Sequence, residues 1–358
     1  MKLLLLSIGF FVGVYLLRLD TVRPKFQEGD RIRITGRLSE EPTLVNGRQK
    51  LVLGQVRVYI DRFPEYHYGD KTRAEGIVTE GKGGKYLKDA KVIKIEQSGG
   101  LTSFRERILK LYAQYLPEPH NALLSGIVLG TKTSLDPAFF EALRKTGTLH
   151  IIVASGTNIS LFAGSLLSVL AILIGRRKAI VPALVCVWFY VILVGWQPPI
   201  VRAAVMGSIA FAAQAWGKEF DAWRALFISA AILLLIEPLW LLDIGFQLSF
   251  AATAGILAFS SSISKRLVLV PVFKEDLATT LAAQIAVSPI LFFSFGQLSL
   301  ISPLVNILIL WTVPVIMAGG GAIALLGLLW EPLGQILAWF VWLPLEYFVR
   351  VVEVFSKI

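Results

Sequence analysis

Cysteine is nearly missing from this sequence. Cys186 is the single one in 358 residues, so no disulfide can form within the chain. It sits in an apolar run and reads as a small buried hydrophobe. Histidine is scarce as well. His67, His120 and His150 lie far apart, and no HxH, CxxC or HExxH spacing occurs, so no metal site is expected. No Walker A loop is present, which excludes a nucleotide-driven motor within the chain. Charge is thin too: 17% of residues are charged, against about a quarter in an average soluble domain. These absences leave no cofactor and no catalytic constellation to expect.

What is there instead is apolar. Hydrophobic residues make up 55% of the chain, and mean hydropathy is +0.67. The excess is uneven: residues 18–100 are polar, whereas 148–355 are mostly Leu, Ile, Val, Ala, Phe and Trp. The fold class that follows is a polytopic α-helical membrane protein with a small all-β soluble domain inserted after the first helix. The net charge of +10 has two readings. Cytoplasmic Lys and Arg that set topology account for it, and so does a polyanionic partner.

Four segments are expected. Residues 1–20 hold an N-terminal transmembrane helix, uncleaved because Arg18, Leu19 and Asp20 follow it without a small-residue cleavage site. Residues 21–98 hold the β-domain. Arg31 to Leu38, Lys50 to Leu53 and Val56 to Ile60 alternate with period two, and Lys71 to Thr79 and Lys91 to Glu96 are further strands. Asn46-Gly47 signals a hairpin, and Gly81 to Gly84 a loop. About five short strands suit an OB-like barrel.

Residues 99–147 read as interfacial helices, with Arg105, Arg107 and Lys110 on one side of the first. Residues 148–358 carry the main spans, near 148–174, 179–195, 199–216, 223–241, 244–262, 277–297, 302–317, 318–330 and 335–355. Gly319-Gly320-Gly321 joins two short ones and predicts a broken or re-entrant pair. Arg176-Arg177-Lys178, Lys218 with Arg224, and Lys265-Arg266 with Lys274 fall in alternate loops, which should be cytoplasmic. The β-domain and His150 then lie outside.

Polar groups concentrate where such a span begins. His150, Ser155, Gly156 and Asn158 open an apolar run, and hydrocarbon offers them no partners. His150 either bonds freed backbone or lines an outer mouth. Ser155 and Gly156 suit close helix packing. Asn158 fits an unwound or tightly packed pore element. Arg202 lies one turn into a helix begun by Pro198-Pro199, free to snorkel or to meet a phosphate. Asp243 caps its helix or pairs with Arg202. Gln247 and Ser249, two residues apart, cannot share one helix face. In the β-domain, Arg31, Arg33, Arg37, Arg57 and Arg62 interleave with Tyr59. Basic groups with stacking aromatics form the single-strand binding mode, although a solvated barrel is the plain alternative.

Three segments taken together resemble one family. They are Leu149-His150-Ile151-Ile152-Val153-Ala154-Ser155-Gly156-Thr157-Asn158, then Trp196-Gln197-Pro198-Pro199-Ile200-Val201-Arg202-Ala203-Ala204, and Asp243-Ile244-Gly245-Phe246-Gln247-Leu248-Ser249. In order and spacing they are similar to the membrane domain of the ComEC-type competence family. Pro303-Leu304-Val305-Asn306 adds a weaker likeness, and residues 18–97 resemble the OB-like domain that precedes that channel. The resemblance implies a bacterial inner-membrane channel admitting single-stranded transforming DNA, with its OB-like domain extracytoplasmic. It implies as partners a type IV pilus-like capture apparatus and a cytoplasmic motor. The lipid bilayer is a further partner, and a homo-oligomer an open option that the sequence does not decide.

Two departures are evident. Many relatives carry His at the position of Asn158. Many also continue into a metallo-β-lactamase-like domain, whereas this sequence ends at Ile358 without an HxHxDH cluster. A separate nuclease is therefore expected. A small-solute transporter and a membrane-anchored nucleic-acid scaffold remain the alternatives.

Overall fold

The computed structural model describes residues 2–22, 26–38, 42–45, 48–54, 56–61, 63–64, 66–81, 84–96, 99–131, 135–152, 156–217, 219, 221–267, 274–295 and 301–357. Ser155, Arg62 and the Asn46-Gly47 turn lie outside the described residues. The chain is mostly helical, with one mixed β-sheet near its N-terminus.

Helix α1 (Lys2–Val22) comes first. The sheet follows, from β1 (Arg31–Arg37), β2 (Thr43–Val45), β3 (Arg48–Leu53), β4 (Val56–Ile60), β5 (Lys71–Gly81) and β6 (Gly84–Glu96). Its order is β1-β5-β6-β4-β3-β2, with β4 and β6 parallel and the other pairs antiparallel. Period-two alternation buries one face: Leu51, Leu53, Val56, Val58, Ala74, Val78 and Leu87 form a core of their own. The expected five strands are six, because Thr43–Val45 adds a short one too brief to show alternation. The expected closed barrel is not seen among the described residues: β1 and β2 are the two ends of an open sheet.

Three shorter helices connect the sheet to the bundle: α2 (Leu101–Tyr115), α3 (His120–Leu129) and α4 (Pro137–Lys145). Asp136 caps α4 by accepting from the amides of Ala138 and Phe139, and Pro137 takes the first helical position. One expectation for α2 fails. Arg105 does not share an exposed face with Arg107 and Lys110; it is 2% exposed and turns inward.

The remaining helices are α5 (Leu149–Ile152), α6 (Gly156–Ile174), α7 (Arg176–Val194), α8 (Pro198–Ala215), α9 (Ala222–Ile236), α10 (Ile244–Arg266), α11 (Lys274–Phe295), α12 (Ser302–Ile309), α13 (Thr312–Gly327) and α14 (Glu331–Phe355). The span expected near 148–174 is described as α5 and α6, and residues 153–155 between them lie outside the described residues. Among the described residues four helices are long and apolar enough to cross a membrane, and α12 with α13, bent by 48°, makes a fifth if the pair is one span. The bend is where a broken pair was expected, but not at the glycines. Gly319 and Gly320 lie inside α13, where they let Val341 of α14 and Leu124 and Val128 of α3 approach its backbone.

The β-domain rests on one end of the bundle. The Tyr68 hydroxyl donates to the Ile192 carbonyl near the end of α7 (3.4 Å), and the Arg105 guanidinium lies 5.4 Å from the Tyr68 ring centroid. The loop bearing Tyr68 is held in turn. The Gln49 amide donates to the carbonyls of Asp61 and Pro64, and buried Asp70 accepts from the His67 amide and pairs with Lys94 at 2.7 Å. Since α7 runs from Arg176 to Val194, its basic start lies roughly 27 Å from this end by helical rise. Arg266 closes α10 at the far end likewise. The last turns of α1 meet the end of α9: Arg18 donates to the carbonyls of Leu235 and Ile236, which places a cation on the negative end of α9.

Candidate functional site

Two polar clusters occupy the β-domain end of the bundle. The first closes α3. A helix end leaves its last four carbonyls without intrahelical donors. Here each finds one. Gly130 enters the left-handed region (φ 70°) and its amide returns to the Gly126 carbonyl at 2.9 Å. The Asn158 amide of α6 donates to the Ile127 carbonyl at 2.9 Å. The Tyr190 hydroxyl of α7 donates to Val128 at 2.7 Å. Arg105 Nη2 of α2 donates to Leu129 at 3.0 Å, adding a cation at the negative dipole end. The set is buried, with Asn158 1% exposed.

The second cluster surrounds Arg202. Pro198 and Pro199 begin α8, and Arg202 follows one turn in. Its Nε donates to Ser249 Oγ at 2.8 Å and its Nη1 to Thr253 Oγ1 at 2.7 Å. Met206 Sδ is 3.4 Å from Nη1, and the Phe250 ring centroid 5.8 Å from the guanidinium carbon. Ser249 and Thr253 are four residues apart and share one face of α10. All these partners are uncharged. Among the described residues Arg202 forms no ion pair, and Nη2 forms no hydrogen bond. Nη2 faces α6 at Gly156, where a Cβ would come within 2.5 Å of it. A side chain at 156 would make the guanidinium shift from this position.

From Gly156 a row of small residues continues along α6 at four-residue spacing. Ser160, Gly164 and Ser168 are exposed, and each serine donates to the carbonyl four residues earlier. The row leads from the β-domain end towards the basic end of the bundle.

The other expected residues are dispersed. Asp243 caps α10, accepting from the Phe246 amide at 2.8 Å, so of its two expected roles the structure gives it the cap. Gln247 donates to the Leu241 carbonyl at 2.9 Å, away from Ser249. His150 is exposed on α5, with Nδ1 2.9 Å from the Gly147 carbonyl. On the β-domain, Arg31, Arg33 and Arg37 share the outer face of β1, while Arg57 and Tyr59 lie on β4, three strands away. Sequence reasoning missed Tyr190 and Thr253, and read Arg105 as an interfacial cation. The four-residue spacing of Ser249 and Thr253 was a usable signal; the others act through tertiary contacts.

Comparison with known proteins gives consistent results. The family described as competence protein matches residues 127–358. ComE operon protein 3 of Bacillus subtilis is 29% identical over 211 residues, which is 58% of this chain and 26% of that protein. Competence protein ComA of Neisseria gonorrhoeae is 29% identical over 227 residues, 58% of this chain and 31% of its own length. The uncharacterized protein YcaI of Escherichia coli is 30% identical over 163 residues, 41% of this chain and 22% of its own. The chain thus spans under a third of the length of these relatives. No solved structure matches it.

Proposed function

We propose, from the premise that this chain belongs to the competence protein family, that it forms an inner-membrane passage for one strand of incoming DNA. The observation that carries the reading is Arg202: a guanidinium held by two hydroxyls, without a carboxylate, above a row of small and hydroxylated residues. Burying a cation without a counter-charge is costly, so such a site favours a mobile anion. A guanidinium fork matches phosphate oxygens. A polyanion cannot enter hydrocarbon, and the α6 row supplies the polar wall it needs.

The β-domain receives the strand on the outer side, and the basic loops face the cytoplasm, in keeping with their Lys and Arg. Its sheet supports an OB-like reading. β1 and β2 follow one another in the chain yet occupy opposite edges, as one bent strand would in closing a barrel. Capture, strand degradation and pulling fall to partners: a pilus-like apparatus, a separate nuclease and a cytoplasmic motor. This chain itself makes or breaks no bond.

The test is uptake of labelled DNA into the cytoplasm of a deletion strain carrying variants of this gene. Arg202→Gln and the pair Ser160→Leu with Ser168→Leu should block passage while the protein stays at normal abundance in the membrane. Normal uptake in both would overturn the passage and favour a scaffold.

A further inference from the structure

We propose a second nucleic-acid site, on the β-domain: a base-stacking face made by Tyr59 and Tyr86, bordered by Arg48, Lys50, Arg57 and Lys88, and separate from the arginines of β1. It rests on the reading above that a single strand meets this domain first.

Strand alternation builds the face. Val56 and Val58 are fully buried, so Arg57 and Tyr59 of β4 point outward. Leu51 and Leu53 are buried, so Arg48, Lys50 and Val52 of β3 point outward. Leu87 is buried, so Tyr86 and Lys88 of β6 do the same. Register brings them together: Lys50 is opposite Tyr59, Val52 opposite Arg57, and Arg57 opposite Tyr86 across the parallel pair. The two tyrosine rings lie 6.3 Å apart, edge to face at 77°. Both tyrosines are partly exposed.

The charge on the two surfaces differs in kind. On the β1 side, Arg33 pairs with Glu75, and Arg37 and Lys71 share Glu96. A phosphate arriving there must displace carboxylates. Outward positions of β3 and β4 carry no acid; Asp61 lies beyond the end of β4. Among the described residues, Arg48, Arg57 and Lys88 form no ion pair. Cations beside partly exposed aromatic rings suit a strand whose bases are unpaired. A duplex keeps its bases stacked on one another and cannot use the rings.

Binding of a short fluorescent oligonucleotide to the full chain in phosphatidylcholine nanodiscs, read by anisotropy, tests this. Tyr59→Leu with Tyr86→Leu should weaken binding of a single strand about tenfold or more. The same pair should leave binding of an abasic strand of equal length unchanged. Arg48→Gln with Arg57→Gln should weaken both strands and flatten the salt dependence. Arg33→Gln with Arg37→Gln, at cations already paired with Glu75 and Glu96, should weaken binding less than the Arg48 and Arg57 pair does. Tyr59→Phe with Tyr86→Phe keeps both rings and must keep binding, which guards against a leucine pair that fails to fold.

The proposal is overturned if the leucine pair has no effect or weakens the abasic strand equally. It is overturned too if the β1 variants are as damaging, or if the unaltered chain binds no strand. None of these outcomes touches the Arg202 passage, which is read by uptake in cells.

Discussion

Gly156 and Asn158 are two residues apart on α6 and serve opposite ends. Asn158 belongs to a closed set: four carbonyls of α3 meet four donors from four places in the fold. Gly156 belongs to an open one, where Arg202 has hydroxyl partners but no opposite charge. Both sites bring polar groups into an apolar bundle. The difference shows that a polar residue in a span is not by itself a lining residue. A satisfied group locks backbone in place, whereas an unbalanced charge awaits something mobile.

The sharpest way to break this contrast is to remove the open charge. Arg202→Gln should lower DNA uptake about 10- to 100-fold, the value of losing a charge-assisted hydrogen bond of roughly 1.5–3 kcal/mol. The melting temperature of the purified chain should hardly move, because no buried carboxylate is left behind. A large drop in melting temperature would instead make Arg202 a structural brace. Removing a closed-set member should do the reverse. Arg105→Met leaves the Leu129 carbonyl unsatisfied and strips the cation from both the α3 dipole and the Tyr68 ring. It should cost roughly 1.5–3 kcal/mol of stability, visible as a lower melting temperature. Uptake should fall only in step with the amount of folded protein.

Asn158 sharpens the contrast further, because substitution there can keep or remove the donor. Asn158→Leu strands the Ile127 carbonyl and should cost about 1–3 kcal/mol. Asn158→His retains a ring N–H able to reach that carbonyl, and should recover most of the lost melting temperature. An imidazole at this position would then serve as the amide does, as a donor for a helix end. A loss of uptake in Asn158→His without any change in melting temperature would return this residue to the passage.

The sequence was most legible where one pattern determined one structure. Alternation located β1, β3 and β4. Asp243 was legible as a cap because Asp before a helix has a local partner. Arg105 was not, since a cation beside Arg107 and Lys110 reads as solvated until the α3 carbonyls are known to lie over it. The triple glycine misled for a similar reason. Local flexibility suggested a break, but the packing of α3 and α14 against Gly319 and Gly320 keeps that stretch helical. The Arg202 site was half legible: Arg202 drew notice, yet its hydroxyl partners come from another helix.

The smallest expected effect is the finest probe of the closed set. Tyr190→Phe removes one hydroxyl and nothing else, since its ring remains stacked on Phe162 with centroids 4.6 Å apart. The Val128 carbonyl then loses a 2.7 Å hydrogen bond while its surroundings stay packed. The expected cost is about 0.5–1.5 kcal/mol, a shift in melting temperature with uptake per folded molecule unchanged. Combined with Asn158→Leu, the loss should exceed the sum of the two single losses, because adjacent carbonyls share one helix end that frays together. Simple additivity would mean that each donor serves its own carbonyl independently, and that α3 is held in place by its packing against α13 and α14 rather than by its caps.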